Sequence, residues 1–241
     1  MFLLAIILTA ALIPTRVGAE APEAANPEPY TAVYSVSYRG LHAGLLHFEL
    51  KSGEPGMYVY ESHAEPSLLA RLVVSSQAVE RSVMQIDGNG VQPLYWFMED
   101  GKSGHEDDGV LEFTWDKELV TGEVEGTRVE LPTEPGLQDR LSIQIEVMTA
   151  LLRTEEPGTI PMIDEDKIKR YSYTRAGTER IATKMGEFET VIYESTRPGS
   201  SRLSRIWHAP ALGYIPARAV QLRKGNVETE MELVKVKRKG D

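Results

Sequence analysis

The stretch that decides the fold reads Gln138-Asp-Arg-Leu-Ser-Ile-Gln-Ile-Glu-Val-Met-Thr-Ala-Leu-Leu-Arg153. Pro-Gly pairs at 135–136 and 157–158 bound it on both sides, which marks it as a separate structural unit. Asp139 is well placed to cap the first free amides of a helix, and the segment ends in Met-Thr-Ala-Leu-Leu-Arg. We therefore predict one main helix over about 139–153.

This segment has one apolar face and one competing interpretation. At helical spacing, the residues that share a face are Leu141, Ile145, Met148 and Leu152. The first half also alternates as a β-strand does, through Leu141, Ile143, Ile145 and Val147. The length of the segment and its capping residue favour the helix, and the strand remains the alternative.

Outside this segment the apolar residues between 30 and 237 recur with a period of two. Ala32, Tyr34, Val36 and Tyr38 alternate with smaller or polar residues, and Asp87-Gly88-Asn89-Gly90 is a strong hairpin signal. Residues 66–74 fit either a short helical turn or a buried strand. The pattern predicts a mainly β protein, with a single large antiparallel curved sheet or a partly open barrel or sandwich and the helix packed on it.

The N-terminal region predicts export. Residues 1–19 contain an apolar run from Phe2 to Ile13 and end in small residues, which is typical of a signal peptide cleaved near Ala19. The alternative is an uncleaved membrane anchor. Residues 20–29 are rich in proline and acids and predict a flexible tether. A single β-rich domain then follows over 30–237, with the periplasm as the expected location and no stable membrane insertion after cleavage.

Composition excludes several classes of partner and site. The chain of 241 residues carries a formal net charge of −10, which removal of Arg16 with the signal peptide makes one unit more negative. Such a protein repels phosphate backbones, so no nucleic-acid partner is expected. It also repels anionic lipid surfaces unless a local basic patch intervenes. The chain has no cysteine, which excludes thiolate metal sites and a cysteine nucleophile.

No catalytic motif stands out. The sequence lacks a Gly-x-Ser-x-Gly elbow and a glycine-rich phosphate loop. His105, next to Glu106-Asp107-Asp108, is the best metal candidate, but the spacing does not match the EF-hand pattern and an acidic solvated loop is the preferred interpretation. We therefore expect a non-enzymatic protein with no cofactor and no metal site.

Aromatic residues on strands suggest a binding site. Core packing is the default interpretation, and the alternative is the lining of an apolar cavity between the sheet and the helix. On the second interpretation the candidate ligand-binding residues are Tyr95, Phe97, Trp115, Leu141, Ile145, Met148, Trp207 and Tyr214.

Three short motifs carry a resemblance to a known family. They are Gly-Leu-His-Ala-Gly at 40–44, Gln-Asp-Arg-Leu-Ser at 138–142, and Arg-Ile-Trp-His with Tyr-Ile-Pro-Ala-Arg within 205–218. Over about 30–237 the chain resembles an uncharacterised family of exported Gram-negative proteins, a domain of unknown function. The resemblance implies a periplasmic location and a largely antiparallel β fold. More remotely, the chain looks like the half-barrel lipoprotein carriers.

Two functions follow as hypotheses. The first is a periplasmic binding or carrier protein that holds a hydrophobic small molecule, such as a lipid or acyl chain, in a cavity covered by the helix. The second is a structural or interaction module of the cell envelope without a cavity. That module would contact an envelope protein through an open sheet edge or the acidic loop 100–109.

Overall fold

The computed structural model describes residues 25–102, 104 and 107–238. In this part of the chain fourteen strands form one antiparallel sheet. The first seven strands are β1 (Tyr30–Tyr38), β2 (Leu41–Ser52), β3 (Met57–Pro66), β4 (Val79–Asp87), β5 (Gly90–Glu99), β6 (Gly109–Thr114) and β7 (Leu119–Val124). The others are β8 (Thr127–Pro132), β9 (Thr159–Asp164), β10 (Lys167–Thr183), β11 (Gly186–Thr196), β12 (Arg202–His208), β13 (Pro216–Arg223) and β14 (Asn226–Arg238).

The sheet joins the two halves of the chain at its centre. Strands that are consecutive in sequence pair with each other, except β8 and β9, and β1 also pairs with β14, so the strand order runs 8-7-6-5-4-3-2-1-14-13-12-11-10-9. The edge strands β8 and β9 are consecutive in the chain and are separated by the helix α1 (Ser142–Leu152). Ile163 of β9 packs in the same apolar cluster as Val129 of β8. The two edges are therefore linked by side-chain packing and not by backbone hydrogen bonds, and the sheet stays open. The predicted curved, mainly β fold with one main helix is confirmed.

The helix, rather than the alternative strand, is present over Ser142–Leu152. As predicted, Asp139 satisfies the first free amides, because its Oδ1 accepts hydrogen bonds from Leu141 N and Ser142 N, both at 2.8 Å. The predicted apolar face is buried at three positions, Leu141, Ile145 and Met148, whereas Leu152 is only partly buried.

The helix is buried on a second face that the periodicity did not predict. Ile143, Val147 and Leu151 pack against Ile160 and Met162 of β9 and against Tyr193 of β11. The sequence predicted one buried face, but two are buried because the curved sheet surrounds the helix on more than one side.

Both ends of the helix are fastened to β4. Ser82 Oγ donates a hydrogen bond to Asp139 Oδ2 at 2.6 Å, and Arg153 donates to the carbonyl oxygens of Asp87 and Gly88 at 2.6 and 3.3 Å.

We call the end of the sheet that carries the β4–β5 turn the closed end. The opposite end, which carries the β1–β2 turn, the β3–β4 connection and the β13–β14 turn, is the open end.

Large side chains fill the inner face of the sheet near the closed end. Ile145 and Met148 pack there in one apolar cluster with Tyr30, Leu50, Met84, Ile86 and Val91. Tyr30 also donates a hydrogen bond to Tyr60 Oη at 3.0 Å, which satisfies its hydroxyl inside the core. This packing is the main apolar support of the helix against the first five strands.

The β3–β4 connection is a short helical turn and not a buried strand. Ala70–Leu72 forms a 3-10 turn, and the large apolar residues around it are exposed. The connection is anchored on β2, because Ser67 N donates to Ala43 O at 2.8 Å. Gly44 permits this contact, since a Cβ atom on it would lie 2.3 Å from Glu65 O at a φ of +136°.

The predicted signal peptide, its cleavage near Ala19 and the beginning of the tether lie outside the described residues. The domain boundaries therefore stay predictions. Among the described residues, no helix has the length and apolar character needed to cross a bilayer.

Candidate functional site

A cavity of about 630 Å³ lies between the inner face of the sheet and α1. It extends toward the open end, because its walls include Val79 at the start of β4 and Met98 near the end of β5. Much of the wall is apolar, with contributions from Tyr34, Leu46, Phe48, Leu141, Val147, Met148, Ile206 and Met231. The cavity thus lies in the half of the sheet interior that the closed-end core does not fill.

Small side chains on inward-pointing strand positions create this space. They come from five strand positions: Ser62, Ala64, Ser204, Ala219 and Thr229. At the closed end, the inner face of β1 to β5 carries tyrosine, leucine, methionine and isoleucine instead. Because strand side chains alternate between the two faces, a run of small inner residues leaves a void that the fixed backbone does not close.

A polar group lies in one wall of the cavity. Trp96 Nε1 donates to Glu80 Oε1 at 2.8 Å, and Arg140 Nε lies 3.9 Å from the same oxygen. The Arg140 guanidinium also stacks 4.9 Å from the centre of the Trp96 ring. Burial raises the pKa of Glu80, and the Arg140 charge acts against that rise. Glu80 and Arg140 therefore offset each other's charge in the cavity wall.

His208 is a second polar wall residue. Its Nδ1 lies 2.9 Å from Tyr214 O and donates to that carbonyl, which fixes the neutral tautomer. The other ring nitrogen, Nε2, has no hydrogen-bond partner among the described residues. Burial lowers the pKa of His208 to about 4, so the imidazole is neutral at pH 7.

The structure brings two of the eight predicted binding residues into the cavity wall and places a third directly behind it. Leu141 and Met148 line the cavity. Ile145 packs against both of them in the closed-end core and is fully buried. The helix therefore forms part of the cavity wall.

Three of the predicted aromatic residues do not line the cavity and point to the outer face. Trp96 is buried on the inner face of β5, so its neighbours Tyr95 and Phe97 face outward, where Arg81 stacks on the Phe97 ring. Similarly, Ile206 and His208 face inward, which turns Trp207 outward, where its Nε1 donates to Glu179 Oε2 at 2.7 Å. Alternation in strands is the physical reason for both placements.

The remaining two predicted residues lie in turns away from the cavity wall. Trp115 follows β6, and its Nε1 donates to Pro93 O at 2.7 Å. Tyr214 packs against the second face of the helix, and its carbonyl oxygen fixes His208. Neither lines the cavity, because chain reversals outside the strands place both rings.

Several wall residues were missed by the sequence reasoning. Tyr34 and Phe48 lie on the period-two faces of β1 and β2 that the sequence displays, so their inward direction was readable. Glu80, Arg140 and His208 carry no such signal, because their burial depends on strands and segments that are distant in sequence.

The metal candidate is only partly described. His105 and Glu106 lie outside the described residues. In the part of the chain that the structure describes, no group of three or more His, Asp or Glu side chains has a metal-binding arrangement.

An open antiparallel sheet that curves around one helix, with an apolar cavity between them, defines an incomplete β-barrel. The chain belongs to the family described as protein of unknown function (DUF3108), whose model matches residues 33–232. This confirms the resemblance to an uncharacterised family. A comparison with curated proteins gives no match.

One solved structure shares the fold at low sequence identity, and others align with lower TM-scores. The β-barrel-like DUF1849 protein from Brucella abortus is 10% identical, with a TM-score of 0.56, and the alignment covers 90% of this chain and 100% of that one. A protein with a YmcC-like fold from Bacteroides fragilis is 10% identical with a TM-score of 0.40, covering 90% and 99%. A structure described as an outer-membrane lipoprotein-sorting protein domain from Vibrio parahaemolyticus is 8% identical with a TM-score of 0.30, covering 88% and 86%.

Proposed function

We propose that the protein binds an apolar, lipid-like molecule in the cavity beneath α1 and catalyses no reaction on it. The observation that carries the proposal is the cavity of about 630 Å³, with small side chains on the sheet and apolar side chains on the helix. Water in contact with these apolar walls is unfavourable, so an apolar occupant that displaces it is physically favoured.

The dimensions and chemistry of the cavity suit such an occupant. Small-molecule pockets are commonly about 300–1,000 Å³ and are lined mainly by apolar groups with few polar ones. An acyl chain gains about 0.8 kcal/mol for each methylene group that leaves water. The walls offer apolar contact from β1 to β5, β10, β12 to β14 and the helix, and the charges of Glu80 and Arg140 offset each other.

His208, a wall residue of the cavity, has one unused hydrogen-bond acceptor, the buried Nε2. A neutral imidazole with a free Nε2 accepts a hydrogen bond from a hydroxyl or an amide and does not attract an anion. We therefore place the apolar part of the ligand against the helix and expect any polar group near His208 to be a neutral donor.

The periplasm is the proposed location. The support comes from the N-terminal sequence, where an apolar run and small residues precede Ala19 as in a signal peptide. The likeness to the Brucella protein supports the fold and carries no statement about function.

Titration with an environment-sensitive apolar dye, followed by competition with myristic acid, tests the proposal. Ala219→Phe fills the cavity from β13, and Ala182→Phe makes the same change at an exposed site on β10. We expect Ala219→Phe to weaken dye binding at least about tenfold, because the larger ring occupies the binding volume. Ala182→Phe should bind like the unchanged protein.

Two outcomes would overturn the proposal. One is an unchanged protein that binds neither dye nor fatty acid saturably. The other is a folded Ala219→Phe variant, verified by circular dichroism and thermal unfolding, that binds the dye with unchanged affinity.

A further inference from the structure

The β3–β4 connection exposes an unusual amount of apolar surface at the open end. The relative exposures are 82% for Leu68, 78% for Leu69, 85% for Leu72 and 69% for Val73. We call these four residues the apolar rim. Single exposed leucines are ordinary on protein surfaces, whereas four large apolar side chains within six residues form a patch that marks an interaction site.

The connection that carries the rim is fixed to the sheet by hydrogen bonds of Ser67 and Arg71. Ser67 N donates to Ala43 O at 2.8 Å, Ser67 Oγ donates to His42 O at 3.2 Å, and Arg71 Nε donates to Pro66 O at 3.4 Å. Val74, the next residue after the rim, lines the cavity. The apolar surface is therefore continuous from the outside of the protein to the cavity.

Neighbouring turns at the same end carry positive charge. The next turn along the sheet contains Arg39, whose backbone N donates to Glu228 O of β14. Three guanidinium groups converge on the Glu228 carboxylate, those of Arg39, Arg202 and Arg223, at 3.5, 4.0 and 3.6 Å. We call these three residues the arginine cluster.

The arginine cluster retains charge for a partner. The Glu228 carboxylate balances only one of the three guanidinium charges. The Glu228 side chain is 10% exposed, whereas the three arginine side chains are 53–66% exposed. Exposed Lys224 lies in the adjacent β13–β14 turn. This is a local basic surface on a chain whose overall charge is −10.

Acidic groups are found elsewhere on the same end. Asp107 and Glu99 lie at the β5–β6 connection, where Lys102 contacts Asp107 at 3.3 Å. The β5–β6 connection lies next to the segment between the rim and β4, since Gly101 lies against Ser75 and Gln77. The rim therefore lies between a mixed acidic side and a basic side formed by the turns of β1–β2 and β13–β14.

We propose that the apolar rim and the arginine cluster together dock the open end on the surface of an anionic phospholipid bilayer. Leucine side chains enter the acyl boundary, and arginine guanidinium groups bind the phosphates of the headgroups. The charge of the arginine cluster selects this occupant over a neutral apolar partner. Docking in this orientation holds the open end of the cavity against the membrane surface.

Co-sedimentation with vesicles of phosphatidylcholine, with and without phosphatidylglycerol, tests the docking. The unchanged protein should bind the anionic vesicles and bind less as salt is added, since exposed charges are screened. Leu69→Glu combined with Leu72→Glu should lower the bound fraction at least about tenfold, because binding strength follows buried apolar area. Met185→Glu, at an exposed site in the β10–β11 turn of the closed end, is the matched control and should bind normally.

A second variant separates the charge from the apolar contact. Arg39→Gln combined with Arg223→Gln should weaken binding to anionic vesicles by about tenfold and remove most of its salt dependence. Both pairs of substitutions are at exposed side chains, so circular dichroism should be unchanged.

Several outcomes would overturn the membrane proposal. They are no vesicle binding by the unchanged protein, equal binding by the leucine variant, and a concentration-dependent dimer that the leucine variant abolishes. Dye binding in the cavity is measured on the same variants. Normal dye binding without vesicle binding rejects the docking alone, whereas vesicle binding without dye binding rejects the proposed ligand alone.

Discussion

The inner face of the sheet is filled at the closed end and borders a cavity at the open end. At the closed end, Tyr30, Met84 and Ile86 fill the inner face, and each is at most 4% exposed. At the open end, the same inner face carries Ser62, Ala64 and other small residues around a cavity. Since β1 to β5 extend through both ends, the size of the side chains on their inner face is one source of the difference. The closed end therefore contains a filled core, and the open end contains the cavity in which we propose that a ligand binds.

The helix connects the two ends. Its first turn forms part of the cavity wall through Leu141, while its last residues are fixed by Arg153 to the β4–β5 turn. A ligand at the open end thus contacts an element whose position is determined at the closed end. This arrangement allows a preformed cavity instead of one that the ligand must create.

The largest expected difference between the ends comes from truncating two matched methionines. Met84→Ala should lower the free energy of unfolding by about 3 kcal/mol, because Met84 is fully buried among large neighbours. Met231→Ala should cost only about 1 kcal/mol, because the Met231 side chain already borders the cavity and loses fewer contacts. Chemical denaturation of both variants measures the difference. Equal losses would show that the two ends are packed alike.

Removal of the helix cap should be the next largest effect. The carboxylate of Asp139 accepts hydrogen bonds from Ser82 Oγ, Leu141 N and Ser142 N in a buried site. Asp139→Ala leaves these donors unpaired and should lower the free energy of unfolding by about 2–3 kcal/mol.

The matched control for the cap is Asp139→Asn. It retains an acceptor for the two amides and should lose less than half as much stability as the alanine variant. Burial raises the pKa of Asp139, so the neutral amide also avoids the cost of a buried charge. An alanine variant as stable as the unchanged protein would show that the cap contributes nothing.

Acid should destabilise the cavity wall through His208. The pKa of His208 falls to about 4 in the folded state, against about 6.5 for an unfolded histidine. Between these values the unfolded state binds more protons, so the free energy of unfolding decreases as pH falls, by up to about 1.4 kcal/mol per pH unit. Between pH 7 and pH 5 this amounts to about 2 kcal/mol. Denaturation at a series of pH values measures it.

His208→Gln should flatten this pH dependence, while His42→Gln, at an exposed site, should not. Burial raises the pKa of both Glu80 and Asp139, so protonation of these carboxyls stabilises the folded state as pH falls and opposes the His208 effect. The comparison of the two histidine variants isolates the His208 contribution. Identical pH profiles for the unchanged protein and His208→Gln would contradict it.

The smallest effect on stability is expected at the apolar rim. Leu69→Gln combined with Leu72→Gln should change the free energy of unfolding by less than about 0.5 kcal/mol, because both side chains are nearly fully exposed. Thermal and chemical unfolding provide the measurement. A loss of 2 kcal/mol or more, on the scale of about one buried leucine, would mean that the rim is part of the core.

Much of the fold was readable from the sequence because its signals are local. The alternation of Tyr34 and Phe48 with polar residues identified strands, and Asp139 identified the start of the helix against a competing strand pattern. The second buried face of the helix was not readable, because it depends on β9 and β11, which follow later in the chain.

The cavity was harder to predict because it depends on side-chain size at positions from distant strands. The prediction chose Tyr95, Phe97 and Trp207 as binding residues because they have large aromatic rings. The cavity instead lies where Ser62, Ala219 and other small residues face inward. Strict alternation would have turned Trp207 outward once His208 was placed inside. The exposed rim was also missed, since an apolar run predicts burial unless the tertiary structure shows otherwise.

The most direct test of the central claim uses the methionines as reporters of cavity occupancy. Met98, Met148 and Met231 line the cavity, whereas Met162 packs behind the helix and Met185 lies in an outer turn. Protein with ¹³C-labelled methionine methyl groups is titrated with myristic acid and followed by NMR. The account predicts saturable shifts of the three cavity methyl signals with little change at Met162 and Met185. Unchanged cavity signals, or equal shifts at all positions, would contradict it.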